Sequence, residues 1–111
     1  MHNPRWTEEE MILAAELAYK RQWRGVNSKT PGIKELSQLL RSANIHEETA
    51  KDDRFRSASS VSMKVNNLIA GHPGHIGVGL RSTLAEKLVV QKFLDDPKKM
   101  TTEATSIRSR I

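Results

Sequence analysis

The sequence predicts an all-α fold of four to five helices. Three observations carry that prediction. Thr-x-x-Glu capping boxes stand at Thr7–Glu10 and Thr83–Glu86, apolar residues recur at helical spacing in separate stretches, and no strand pattern competes. At 111 residues the chain holds one domain with one modest core.

The first helix is expected from about 7 to 22. Thr7 is its N-cap and Glu10 completes the box, with Trp6 and Met11 spaced as a hydrophobic staple. Glu8, Glu9 and Glu10 suit the positive end of the helix dipole. Met11, Ala14, Ala15 and Ala18 form its apolar stripe, with Leu17 flanking it and Tyr19 nearby. Residues 24–31 read as a loop, after which Thr30 caps a second helix with Pro31 at its first position. Ile33, Leu36, Leu39 and Leu40 carry that helix to about 42, and 43–56 reads as irregular.

A third helix starts in the serine run, capped by Ser57 or Ser59, with Val61, Val65, Leu68 and Ile69 as its apolar stripe. Gly71 is placed to end it in a left-handed turn, and Pro73 prevents continuation. After the glycine-rich stretch 71–82, a fourth helix runs to about Leu94 with Leu84, Leu88, Val89, Val90, Phe93 and Leu94 as apolar positions. Met100, Ala104, Ile107 and Ile111 allow a weak fifth. The expected organisation is a helical domain over 1–97, then a short helix or linker over 98–111 leading toward a missing domain. Tyr19, Trp23 and Phe55 read as packing residues rather than base-stacking ones.

Composition narrows the chemistry. The chain has no cysteine, which excludes disulfides and thiolate zinc sites. No apolar run approaches the ~20 residues that span a bilayer, and the N-terminal MHNPRWTEEE does not read as a secretory signal. Eighteen Lys and Arg face thirteen Asp and Glu, a net charge of +5. The acids are clustered. None occurs between Glu16 and Glu35, where Lys20, Arg21, Arg24, Lys29 and Lys34 sit, nor between Asp53 and Glu86, where Arg54, Arg56, Lys64 and Arg81 sit. Two such windows point to a polyanion only if they meet on one face; otherwise they are ordinary solvated surface.

No catalytic constellation is visible. The adjacent acids Glu47–Glu48, Asp52–Asp53 and Asp95–Asp96 read as solvated, and no serine sits in a nucleophile elbow. His72 and His75 offer two metal ligands where a site needs three or four, with His46 as the nearest candidate third. The glycines of 71–79 lack the Gly-Lys-Ser/Thr of a phosphate loop. No cofactor and no metal is expected.

The third helix is the most informative segment. At about 100° per residue, Ser59, Ser60, Met63, Asn66 and Asn67 lie opposite its apolar stripe, with Ser62 and Lys64 on the borders. That face is small, polar and free of acids, the character of a helix that enters a major groove about 12 Å wide. Asn66 or Asn67 could pair with an adenine edge. Arg54, Arg56, Lys64 and Arg81 are expected to contact phosphate, with Ser60 able to help them and Lys20, Arg21, Arg24 and Lys29 as a second basic set, while Ser59, Met63, Asn66 and Asn67 are expected to face the bases. The competing reading is an ordinary amphipathic helix with a solvated side.

Taken in order, the segments resemble a Myb/SANT-like helix-turn-helix over about residues 5–69. Trp6-Thr-Glu-Glu-Glu10 resembles that family's opening, Ile33–Leu40 its second helix, and Arg56–Val61 the start of its DNA-reading helix. Val65 stands where the family usually has tryptophan, and the connections 24–31 and 43–55 are longer. The resemblance implies that Ser62, Met63 and Asn66 face bases. A second resemblance covers about residues 5–97: the N-terminal helical domain found ahead of HNH nuclease domains, including modification-dependent (type IV) restriction endonucleases. Phe55, Arg56, Ser60, Val61, Lys64 and Asn67 match its Phe-Arg-Asn-x-x-Ser-Val-x-x-Lys-x-x-Asn pattern, with Ser57 in place of the first Asn. This resemblance implies a cytoplasmic restriction-defence protein that binds DNA, with sequence, a modified base or backbone alone left open as the feature read. The resemblance implies that this sequence, which lacks the nuclease residues, is either an isolated targeting module or a fragment whose nuclease domain would be covalently attached.

The expectation is therefore an all-α fold of four to five helices around a helix-turn-helix core that binds double-stranded DNA without catalysis. The alternatives are a SANT-like protein-interaction module anchored by Met63 and a small metal enzyme using His46, His72 and His75.

Overall fold

A computed structural model describes residues 4–75 and 81–111; part of the glycine-rich stretch, residues 76–80, lies outside the described residues. Five helices and no strand occur among them: α1 (Glu8–Lys20), α2 (Ile33–Ser42), α3 (Ala58–Ala70), α4 (Leu84–Asp95) and α5 (Pro97–Arg110). α1 is the central strut and packs against all four others. Its alanines explain that position, because small side chains let neighbouring helices approach closely. Ile12, Leu13, Ala14, Ala15 and Ala18 are all buried.

Both capping boxes form. Thr7 Oγ1 accepts from the Glu10 N–H at 3.2 Å while Glu10 Oε1 accepts from the Thr7 N–H at 3.0 Å. Thr83 and Glu86 repeat this at 3.2 and 2.7 Å. α1 ends two residues before a reversal in which Gln22 and Trp23 both take left-handed backbone, φ 59° and 62°. That conformation is unfavourable for non-glycine residues. The Trp23 N–H bonds Ala18 O at 2.8 Å, and its ring packs 6.4 Å from Tyr19 and 5.0 Å from His72.

α2 begins later than expected and without a side-chain cap. Thr30 does not serve it: its hydroxyl accepts instead from the Asn27 N–H at 2.9 Å, closing the loop before the helix. Gly32 takes the cap position at φ 95°. Any Cβ there would lie 2.8 Å from Leu17 Cδ1, so close approach to α1 and positive φ both call for glycine. The irregular stretch that follows contains one 3-10 turn, Glu48–Ala50. Lys51 Nζ reaches back to the carbonyls of Arg41 and Ala43, both at 3.0 Å, where a cation suits the C-terminal end of α2.

Ser57 is the cap of α3, accepting from the Ser60 N–H at 3.2 Å. Gly71 ends α3 in right-handed backbone, φ −82°, so the expected left-handed turn is not used. On α4 the buried face is Glu86, Val89, Val90 and Phe93. Leu84, Leu88 and Leu94, expected as apolar positions of that helix, are exposed. α5 is a full helix rather than a weak one. Asp96 caps it, Pro97 starts it, and Met100, Ala104 and Ile107 enter the same core as α1 and α4. The 98–111 segment is thus packed structure rather than a linker. No helix among the described residues is long and apolar enough to cross a membrane.

Candidate nucleic-acid interface

The site starts from how the loop after α1 is fastened. Asn66 on α3 accepts from the Val26 N–H at 3.0 Å and donates to Val26 O at 2.8 Å. One side-chain amide thus pairs with both groups of one peptide position, closing a contact 40 residues apart in sequence. It joins the two acid-free windows. Arg24 and Lys29, both exposed, flank Val26 on that loop. Arg54 is exposed just before α3, and exposed Arg81 adjoins Ser82. Ser82 packs on Gly71 at the far end of α3: a Cβ on Gly71 would come within 2.6 Å of Ser82 Oγ. Cations therefore stand before, beside and beyond α3.

Between them runs the outer strip of α3. Ser59 and Met63 are exposed, and Ser60 and Asn67 are half-buried. Asn67 is the side-chain amide of α3 left uncommitted among the described residues, because Asn66 is spent on Val26. Lys34, in the first acid-free window, is exposed on the first turn of α2, the helix that packs against α3. Its helix position accounts for this, since Ile33, Leu36, Ser37 and Leu40 turn inward.

Several expected contacts take other work. Arg56 is not a phosphate contact, for it is 2 % exposed. Its Nε donates to Glu10 Oε2 at 2.8 Å and its Nη2 to Glu10 Oε1 at 3.0 Å, a bidentate pair. The guanidinium carbon lies 4.6 Å from the ring centroids of both Trp6 and Phe55. Nη2 also reaches the carbonyls of Pro4 and Arg5, tying down the segment before α1. Lys64 Nζ binds Glu86 Oε2 at 2.8 Å, stapling α3 to α4. Ser62, 8 % exposed, donates to Ser59 O and cannot face a base from there. Lys20 pairs with Glu16, and together with Arg21 it lines a cleft between α1 and α2.

The histidines are dispersed. His46 Nε2 lies 2.9 Å from Glu10 Oε1, and His72 packs on Trp23. No group of three His, Cys, Asp or Glu residues able to hold a metal gathers among the described residues. Glu10 carries the clear electrostatic signature. Burial pushes its carboxyl up, but hydrogen bonds from Arg56, the Thr7 backbone and His46, with the Arg56 charge, hold it below the usual carboxylate range. That is the signature of a buried ion pair.

Fold and site together define a five-helix all-α domain in which exposed cations precede, flank and follow α3, with exposed Asp52 and Asp53 next to Arg54. No protein-family model, curated protein or solved structure matches the chain.

Proposed function

We propose that this chain is a non-catalytic double-stranded DNA-binding module, with α3 entering the major groove. The observation that carries the reading is the Asn66–Val26 pairing, which unites two acid-free windows around one small, polar strip. In this reading Arg24, Lys29, Arg54 and Arg81 contact phosphates, which set register and orientation. Ser59, Met63 and Asn67 face the base edges, with Ser60 beside the backbone. The resemblance over residues 5–97 suggests the setting: the targeting domain of a cytoplasmic HNH restriction endonuclease, coupled to a nuclease domain and directed to modified DNA. The helix-turn-helix is then α2 and α3, which pack together.

The test is fluorescence-anisotropy titration with plain, cytosine-methylated, adenine-methylated and phosphorothioate duplexes at two salt concentrations. Each neutralised phosphate contributes about −0.9 to the slope of log K against log salt. Steep, salt-sensitive binding supports the reading, and a preference among duplexes identifies what is detected. Absence of binding at low salt removes it.

One observation favours a second reading, a protein-interaction module. Met63, Leu84 and Leu88 are 61, 73 and 55 % exposed. An interface built on them would bind with little dependence on salt.

A further inference from the structure

α1 touches α2 less than it touches any other helix, and the two diverge around a cleft of about 380 Å³. Leu13, Leu17, Leu36 and Leu39 line its interior, the turn at Pro31–Gly32 closes one side, and Arg108 of α5 reaches its edge. The volume lies within the ~300–1,000 Å³ range of small-ligand pockets.

Charge decides which small molecule fits. Three cations and two carboxylates border the cleft. Glu16 is 1 % exposed and held by both Lys20 and Arg108, so its charge is already compensated. Glu35 is exposed and screened by water. Arg21 differs. Its guanidinium makes no ion pair among the described residues, and its Nε is buried without a hydrogen-bond partner. Buried donors are normally satisfied. Arg21 is half-buried and lines the cleft, so a carboxylate at this end would meet the outer nitrogens of its guanidinium while an apolar body covered Leu17 and Leu39.

We infer that the α1–α2 cleft binds a small amphiphilic monocarboxylate, with its apolar portion on Leu17 and Leu39, above the buried Leu13 and Leu36, and its head group on Arg21. This site is separate from the α3 strip and does not depend on the DNA reading.

The probe is octanoate, added to the full ¹⁵N-labelled chain and followed by ¹H–¹⁵N NMR, with octanol and octylamine as comparators. Octanoate should shift the amides of Leu17, Arg21, Gly32 and Leu36. It should bind roughly tenfold or more tightly than octanol, the size of one charge-assisted hydrogen bond. Arg21→Gln should remove that advantage without changing the octanol response, and Arg21→Lys should restore part of it. The ligand comparison on the native chain stands even if a variant fails to fold. Shifts confined to other residues, no saturable shifts, or octylamine binding as tightly as octanoate would each overturn the assignment.

Discussion

The two capping boxes share a local design but differ in how each buried glutamate is neutralised. Glu10 and Glu86 are both about 1 % exposed or less, and each accepts the N–H of its own N-cap threonine. Glu86 then meets one ammonium, Lys64, whose side chain is 21 % exposed. Glu10 meets the planar fork of a buried Arg56, with His46 as a third neighbour and two aromatic rings around the guanidinium. A Lys ammonium is a point charge that water still reaches; an Arg fork fixes direction as well as distance. The Glu10 end thus locks α1, the segment before it and the chain leading into α3. The Glu86 end only ties α3 to α4.

Arg56 is also over-determined in its backbone. It takes φ 47°, left-handed for a non-glycine residue, and its carbonyl accepts from Ser37 Oγ at 2.7 Å. Arg56→Met leaves the fully buried Glu10 without its guanidinium fork, with only the Thr7 N–H and His46 still beside it, and should cost about 3–5 kcal/mol. Arg56→Lys should recover little of this, because it loses the bidentate geometry. Urea denaturation checks both; near-native stability of Arg56→Lys would mean that charge alone suffices there.

Lys64→Met should cost less, about 1–3 kcal/mol, because Glu86 keeps its Thr83 bond and water can approach the vacated position. The double variant Lys64→Met with Glu86→Gln should cost less than the sum of the singles. A larger loss for Lys64→Met than for Arg56→Met would invert the comparison.

The pH response should separate the two glutamates further. The folded-state value of Glu10 is depressed, so its ionised form adds stability that is fully present above the unfolded-state value, about 4.3. That contribution is lost as pH falls through the folded value. Glu10→Gln should therefore be destabilised near neutral pH, with its gap from the native chain narrowing below about pH 4. Denaturation curves at a series of pH values give the gap directly. A gap constant with pH would show that ionisation of Glu10 contributes no stability.

These contrasts explain what was legible in the sequence. Capping boxes are local, so Thr7, Glu10, Thr83 and Glu86 announce helix starts without tertiary knowledge. The same holds for Ser57 and for the stripes of α1 and α3. Arg56 misled because its partner Glu10 lies 46 residues away, and in one dimension it is merely a cation in an acid-free window. Asn66 misled for the same reason, its backbone partner lying 40 residues away. α5 looked weak because three core contacts, Met100, Ala104 and Ile107, are diluted among threonine, serine and lysine. The start of α2 was misplaced because the Thr30 hydroxyl serves the preceding loop instead.

The smallest structural effects should come from the outer strip, where stability and binding part company. Asn67 and Arg54 anchor no ion pair among the described residues, so Asn67→Ala and Arg54→Ala should change stability by about 0.5 kcal/mol or less. If α3 reads DNA, Asn67→Ala should cost about 1–3 kcal/mol on a preferred duplex and little on others, the size of one bidentate base contact. Arg54→Ala should instead weaken all duplexes together and flatten the salt slope by about one. Asn66→Ala serves as the control. It should lower stability and weaken every duplex in parallel, because it frees the loop bearing Arg24 and Lys29 rather than removing a base contact. Selective loss in Asn66→Ala with none in Asn67→Ala would reverse the assignment of the two amides. It would mean that Asn66 leaves Val26 when the chain engages DNA.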